Sequence, residues 1–395
     1  MPLRPLEIEF AGTRGPLMRL ALATSVKTVL TLGIYRFWAK TRLRRWYWSA
    51  VRPGGVPLEY AGEPLEKLMG FLIAVVFLAF YIGVVNLVLV FFSFSLLADN
   101  GTAYALSFVG LVPFWFYARY RARRYLLART RWRGLRFGQE PGAWAYAWRA
   151  LGHWAVTLLS LGLLLPRQTF WLEKFRTDRT WYGAARLEQG GRWQMLWPAM
   201  RHLLMGGALT ALGLAATLVA KMAWLIVVPG AVWALAGLVY YRVHSFRILA
   251  AHKRLAGGIG FNAQPRAGRV LRIYILGNLL IAILLGVLIT AVTVLAALAF
   301  AALGGLAGPE FWAALGGGGI LTGVTTAAGV VFYFVIFILW GVLGHAFVTM
   351  PVLAHYAETL EIENPHRLAE VTQRPRDAFA EAEGFAEALD VGAAI

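Results

Sequence analysis

The chain has 395 residues, 59% of them hydrophobic, a mean hydropathy of +0.61 and a formal net charge of +18 at pH 7. That composition excludes an ordinary soluble globular domain. The absence of Cys excludes disulfides, thiolate metal sites and cysteine nucleophiles, and no cleavable leader is read where Arg4, Glu7, Glu9 and Arg14 precede any apolar run.

In chain order, the first apolar segment is Leu17–Tyr35, which carries Arg19 and Lys27 and ends in TLGIYRFW. Directly after it comes FWAKTRLRRW (37–46), four cations and three aromatics in ten positions. Leu68–Leu97 follows, then the shorter Tyr104–Tyr117, then FYARYRARRY (116–125), which repeats the first basic-aromatic run position by position. Ala143–Leu165 carries Arg149 and His153 and runs on into SLGLLLPRQTFW, a counterpart of the first segment. The clearest remaining runs are Ala199–Val219, Met222–Tyr241, Ile273–Leu303 and Ile320–Val348, each near or beyond the roughly 20 residues a helix needs to cross about 30 Å of hydrocarbon. Residues 356–395 hold nine Asp or Glu against three Arg, an acidic tail of −6 on a body of +24.

A second recurrence links these segments. Tyr60–Pro64 (YAGEP), Phe137–Pro141 (FGQEP) and Phe261–Pro265 (FNAQP) all read aromatic-x-x-Glu/Gln-Pro, and Tyr182–Trp193 resembles a worn copy. Each follows a basic segment and precedes an apolar one. We read them as hairpin-like turns that lead into the next helix, with Pro suited to its first turn.

Basic residues concentrate in Arg36–Arg52, Arg119–Arg136, Arg167–Arg192 and Arg242–Arg272, while the other connections are nearly uncharged. Positive charge in short loops marks the cytoplasmic side. All four basic loops share that side if Leu17–Tyr35 and Ala143–Leu165 enter and leave on one face. The expectation is therefore an all-α polytopic membrane protein. About six spans form three hairpins, with two re-entrant or interfacial helices, internal repeats and short cytoplasmic β-hairpin-like turns. One membrane domain covers 1–355, duplicated roughly as 17–141 and 143–265 with a last hairpin 270–350, and 356–395 is a cytoplasmic tail. An eight-span arrangement is the alternative.

The runs TLGIYRFWAKTRLRRWYW, LEYAGEPLEKLMGFLIA and GFAEALDVGAAI resemble the YjgN-like family of bacterial inner-membrane proteins, over essentially the whole chain. Arg36-Phe37 stands where the family pattern has a Tyr-Pro-like pair. The resemblance implies a multi-pass inner-membrane protein and, since the family is a domain of unknown function, carries over no activity and no catalytic residue.

Two sets of residues are candidates for function. Lys40, Arg42, Arg44, Arg45, Arg119, Arg121, Arg123 and Arg124 are read as contacts for anionic lipid headgroups or another anionic ligand, with Trp38 and Trp46 as interfacial anchors. The plainer reading is that these cations and aromatics only fix topology. Lys27, Asn86, His153, Asn278 and His345 are polar candidates inside apolar segments, costly to expose to lipid. Their plainer role is interhelical hydrogen bonding; their functional one is a midplane path in a transporter or channel for a small anionic solute. A non-enzymatic lipid-engaging protein is preferred, the transporter is the alternative, and an intramembrane enzyme ranks last. No cofactor or metal is expected, because seven scattered His without Cys give no ligand spacing. Membrane lipids are the expected partners, with room for a membrane protein or a second copy; nucleic acid is not expected so close to the membrane.

Overall fold

A computed structural model describes residues 4–97, 100–310, 313 and 319–374. The chain forms two compact units, one built from the residues up to Ala11, Lys40–Leu271 and the residues from Ala354, the other from Gly12–Ala39 and Arg272–Leu353.

The first unit is organised by a ten-stranded antiparallel sheet. Its strands are β1 Leu6–Phe10, β2 Val51–Pro53, β3 Glu59–Tyr60, β4 Thr130–Trp132, β5 Leu135–Gln139, β6 Thr180–Tyr182, β7 Ala185–Gln189, β8 Lys253–Leu255, β9 Ile259–Ala263 and β10 Leu360–Glu363. Their order is β2-β1-β10-β9-β8-β7-β6-β5-β4-β3, so the two edge strands are sequence neighbours. Leu58 N–H donates to Val51 C=O (3.0 Å), which leaves the ends of the sheet one hydrogen bond apart. Trp132, Tyr182, Ala185, Leu255, Ile259 and Ile362 form one apolar cluster inside it, joined by Leu6, Leu58, Phe137 and Phe261. The inside of the sheet is packed.

The helices are α1 Arg14–Leu30, α2 Arg36–Ala50, α3 Pro64–Phe80, α4 Asn86–Leu97, α5 Asn100–Ala128, α6 Ala143–Leu159, α7 Leu165–Thr177, α8 Arg201–Ala216, α9 Trp224–Ala251, α10 Ala267–Ala307, α11 Ile320–Gly344 and α12 Met350–Glu358. One geometry recurs five times. The residue after an odd strand donates its N–H to the carbonyl just before the next even strand: Ala11 to Ala50, Ala61 to Arg129, Glu140 to Arg179, Gly190 to His252 and Gln264 to Thr359, all at 2.8–2.9 Å. Between each such pair the chain makes a helical excursion. The opposite edge of the sheet carries the tight turns. At Arg133-Gly134 both residues have positive φ (50° and 78°), as a two-residue hairpin loop requires.

This architecture corrects the all-α expectation. The aromatic-x-x-Glu/Gln-Pro segments, read as turns, supply the ends of β3, β5 and β9. Strands of two to five residues show no readable alternation, and their partners lie far away: β10 pairs with β1 and β9. Pro64 does open its helix, whereas Pro141 and Pro265 stand two residues ahead of theirs. Residues 358–374, read as the start of an acidic tail, supply β10 and a 3-10 turn, Pro365–Glu370, whose Leu368 joins the sheet's apolar cluster. Thr372 C=O accepts from Ala184 N–H (2.8 Å). That carbonyl also lies where a Cβ on Gly183 (φ +53°) would fall, which reserves the position for Gly.

The six-span count is corrected as well. Among the described residues five helical stretches are long and apolar enough to cross a membrane: Pro64–Phe92, Trp193–Ala216, Lys221–Ala251, Ala267–Leu306 and Thr322–Glu358. Tyr104–Tyr117 is only part of α5, whose second half is the basic run 116–125, and Leu17–Tyr35 and Ala143–Leu165 are not among the five. At most 22% of the residues in any of the five spanning windows are buried, so their apolar shafts face outward.

The segments TLGIY and SLGLL form matching loops. Gly33 N–H bonds Thr28 C=O (2.7 Å) and Gly162 N–H bonds Thr157 C=O (2.8 Å). Thr31 Oγ1 then accepts from Tyr35 N–H (3.0 Å), and Ser160 Oγ from Leu164 N–H (3.1 Å). A six-to-one bond ending one helix and a hydroxyl capping the next produce a sharp reversal. After Gly162 the reversal pairs α6 with α7, where Tyr146 meets Phe175 at 5.9 Å between ring centroids.

In the second unit Ile281, Leu285 and Leu343 pack with Met18, Leu339 and Phe347, which ties α10 and α11 to α1. Arg14 lies 5.2 Å from the Phe347 ring centroid.

Helices α8 and α9 pack unusually closely in the first unit. Gly206 and Gly213 on one and Gly230 and Gly237 on the other each bring backbone to backbone, since an added Cβ would meet main-chain atoms of the facing helix at 2.3–2.9 Å. Gly230→Ile is therefore expected to lower stability by at least the roughly 1–3 kcal/mol of an overpacked core, read as a fall in melting temperature in detergent. Gly329→Ile, on α11 with nothing within 4 Å, is expected to leave it unchanged.

Candidate lipid-facing site at the helix bases

Charge is segregated along the helices of the first unit. On α5 the exposed stripe Val112, Trp115, Arg119 passes from apolar to cationic, and the Arg119 guanidinium lies 5.3 Å from the Trp115 ring centroid. A long cationic side chain folded over an indole at the end of an apolar face is the arrangement found where a helix meets the headgroup layer. Trp144, Trp148, Trp154 and Trp171 on α6 and α7 are also exposed.

The eight predicted cations divide by environment. Arg42, Arg45 and Arg119 are exposed, and Lys40 and Arg121 half-buried; Arg121 Nη1 donates to Tyr117 Oη (3.1 Å). Arg44, Arg45, Arg123 and Arg124 make contacts that belong to the fold. Arg45 Nη2 donates to Gly62 C=O (3.0 Å) and Arg124 Nε to Gln139 C=O (3.1 Å), equivalent carbonyls two residues before Pro64 and Pro141. Lys174 repeats the contact with Gln189 C=O (2.8 Å). Each cation pins a helix to the corner where a strand leaves the sheet. Arg44 is buried, with its guanidinium 6.0 Å from the Tyr60 ring centroid.

Arg123 points into an ionic cluster that sequence reasoning missed. Glu173 accepts from Lys253 Nζ (2.6 Å) and Arg176 Nη2 (2.7 Å), and Arg123 adds to its positive surroundings. Burial alone would raise the Glu173 carboxyl, but Lys253, Arg176 and Arg123 overcome it and hold the group well below the usual carboxylate range. Burial lowers the Arg123 pKa, with Glu173 opposing. A second tie joins α3 to α5, where Tyr125 Oη and Arg129 Nη2 both donate to Glu66. The only sequence signal for either cluster was an acidic residue in a basic surround, which has no fixed spacing.

The anchors and intramembrane candidates are not brought into one site. Trp38 stacks on Tyr35 (6.0 Å) and Trp46 meets Tyr47 edge-on (5.0 Å); both are half-buried. Lys27 lies 5.6 Å from the Tyr35 ring centroid in the second unit, while His153 in the first approaches Arg167 Nη1 (3.4 Å). Asn278 donates to Tyr274 C=O in its own helix (2.7 Å), and His345 opens a π-helical turn, His345–Thr349. The side chain of Asn86 lies outside the described residues. Among the described residues no group of three His, Asp or Glu is placed to hold a metal.

Two predictions separate fold from surface. Glu173→Gln is expected to cost about 3–5 kcal/mol, because it leaves buried cations uncompensated. A carboxyl held below its unfolded value near 4.3 adds stability above that pH and loses it as pH falls through the folded value. The variant's melting temperature should therefore lie below the parent's at neutral pH, and the gap should narrow below about pH 4.3. Arg124→Gln is expected to lose about 1.5–3 kcal/mol with its charged hydrogen bond, whereas Arg119→Gln stays within about 0.5 kcal/mol of the parent.

The chain was compared with known proteins. No curated protein and no solved structure matches it. A family model described as "Bacterial protein of unknown function (DUF898)" matches residues 5–302, and this is the family to which the YjgN-like label refers. With about three quarters of its length under that match, the chain belongs to the DUF898 family of bacterial proteins of unknown function.

Proposed function

We propose that the protein is a non-enzymatic, multi-pass protein of the bacterial inner membrane whose exposed helix-base cations hold anionic phospholipid headgroups. The supporting observation is the passage from apolar shaft through indole to guanidinium on α5, ending at Arg119. Arg42, with the half-buried Lys40 and Arg121, extends the cationic surface. Each cation near an anionic membrane surface is worth about 1 kcal/mol. Charge gives the orientation: the basic helix bases adjoin the sheet, so the sheet lies on the cytoplasmic side, with residues 4 and 374 beside it. The transporter alternative has no comparable support, since Lys27 and His153 fall in separate units and each has a local partner.

The test reconstitutes the full chain in nanodiscs of mixed phosphatidylcholine and phosphatidylglycerol, then counts phosphatidylglycerol retained on extraction by native mass spectrometry. Arg42→Gln/Arg119→Gln is expected to retain roughly tenfold less in apparent affinity, the two contributions together exceeding the 1.4 kcal/mol of one decade. Unchanged retention by a folded variant overturns the reading.

A further inference from the structure

At the base of the α8–α9 hairpin, residues from both helices converge on one ring. Tyr240 is met edge-on by His202 at 4.5 Å and by His244 at 3.9 Å between centroids, and the Arg201 guanidinium lies 5.1 Å from its centroid. Arg247 follows His244 by three residues on α9, so the two stand on one face of the helix. Both Arg are exposed, and His202, Tyr240 and His244 are half-buried, so the group is open to the surroundings. Among the described residues no carboxylate is paired with any of the five, whereas Arg129, Arg176, Lys253 and Arg254 each have one.

The close helix crossing assembles the group. Gly237, one turn from Tyr240, lets the His202–Leu203 backbone approach to where a Cβ would lie, at 2.6–2.7 Å. That brings His202 of α8 against Tyr240 of α9. Depth is set by length: α9 has 28 residues, about 42 Å of helix, against about 30 Å of hydrocarbon. About a third of it must emerge, and the end holding Arg242, His244 and Arg247 is the polar one.

We propose that Arg201, His202, Tyr240, His244 and Arg247 form a binding site for a phosphate group. Two guanidiniums supply forked donors, which fit tetrahedral phosphate oxygens better than any other side chain, and the imidazole N–H and phenol O–H groups add further donors around them. The site's chemistry fits the phosphodiester of an anionic lipid and free inorganic phosphate alike. The inference rests on the lipid-facing reading only for the depth of the site.

The experiment uses the full chain in neutral detergent and measures two ligands separately: inorganic phosphate by titration calorimetry, and phosphatidylglycerol adducts by native mass spectrometry. Arg201→Gln/Arg247→Gln is expected to weaken binding at least about tenfold, as losing even one charged hydrogen bond of 1.5–3 kcal/mol requires. Arg201→Lys/Arg247→Lys, which keeps the charge and removes the forks, guards against a folding defect and is expected to lose most of the same affinity. Loss for phosphatidylglycerol alone identifies a lipid site, and loss for both ligands a general phosphate site. If parent and variants bind both ligands equally, the site is overturned. The Arg42→Gln/Arg119→Gln variant keeps the two readings apart: intact phosphate binding at α8–α9 with unchanged bulk lipid retention would sink the headgroup reading and leave this site standing.

Discussion

Everything in the first unit depends on one backbone constraint. Each helical excursion is clamped at its base by an antiparallel strand pair and by the N–H to C=O bond beyond it, from Ala11–Ala50 round to Gln264–Thr359. A clamp of this kind permits any length or composition between its ends, provided the chain returns to the same edge of the sheet. That is how one sheet carries the 40-residue excursion α6–α7, from Glu140 to Arg179, and the much longer α3–α5 and α8–α9. The strands themselves are too short to be stable as isolated hairpins, so they depend on their neighbours in the sheet and on the Trp132–Tyr182–Ile259 cluster. Helices and sheet are thus mutually obligatory.

The clamp also explains three of the cationic residues. Where a strand turns into a helix its last carbonyls have no ladder partner and lie away from water, so each needs a donor. Arg45, Arg124 and Lys174 supply it from the preceding helix, and a charged donor forms a stronger bond than an amide would. The likeness of FWAKTRLRRW and FYARYRARRY follows the same logic: Thr41 and Tyr120 turn inward at matched positions, and Arg45 and Arg124 at matched positions reach matched carbonyls. A motif that reads as a ligand site by composition is, in alternate residues, a structural joint.

Sequence periodicity exposed the apolar shafts and the likeness of the TLGIY and SLGLL segments, because each is a local property of a few turns of helix. It could not expose the sheet. Glu59-Tyr60 has two residues and its partner Thr130-Arg131 lies some seventy positions away, so neither alternation nor proximity marks it. The ionic cluster was hidden for the same reason, with Arg123, Glu173 and Lys253 contributed by three segments. Of the predicted site, the positions of Arg42 and Arg119 were legible as exposed cations, while the inward turn of Arg44 and Arg123 depends on tertiary packing. The α8–α9 group escaped because His202 and His244 are joined only through a helix crossing.

The distribution of satisfied polar groups argues for chemistry at the helix ends. Along the shafts, Thr24, Thr28, Thr210 and Thr326 donate back to carbonyls three or four residues earlier in their own helices, and Asn278 does the same. A hydroxyl or amide turned back on its own backbone is cheap to keep in lipid and offers little to a passing solute. The bases are different: Arg42, Arg119, Arg201 and Arg247 are exposed there and His202 and His244 half-buried, and at Arg201 and Arg247 no described carboxylate offsets the charge. On the proposed reading, positive charge left uncompensated at headgroup depth is what an anion of the membrane surface would offset, and the sheet that clamps the helices fixes where those cations stand.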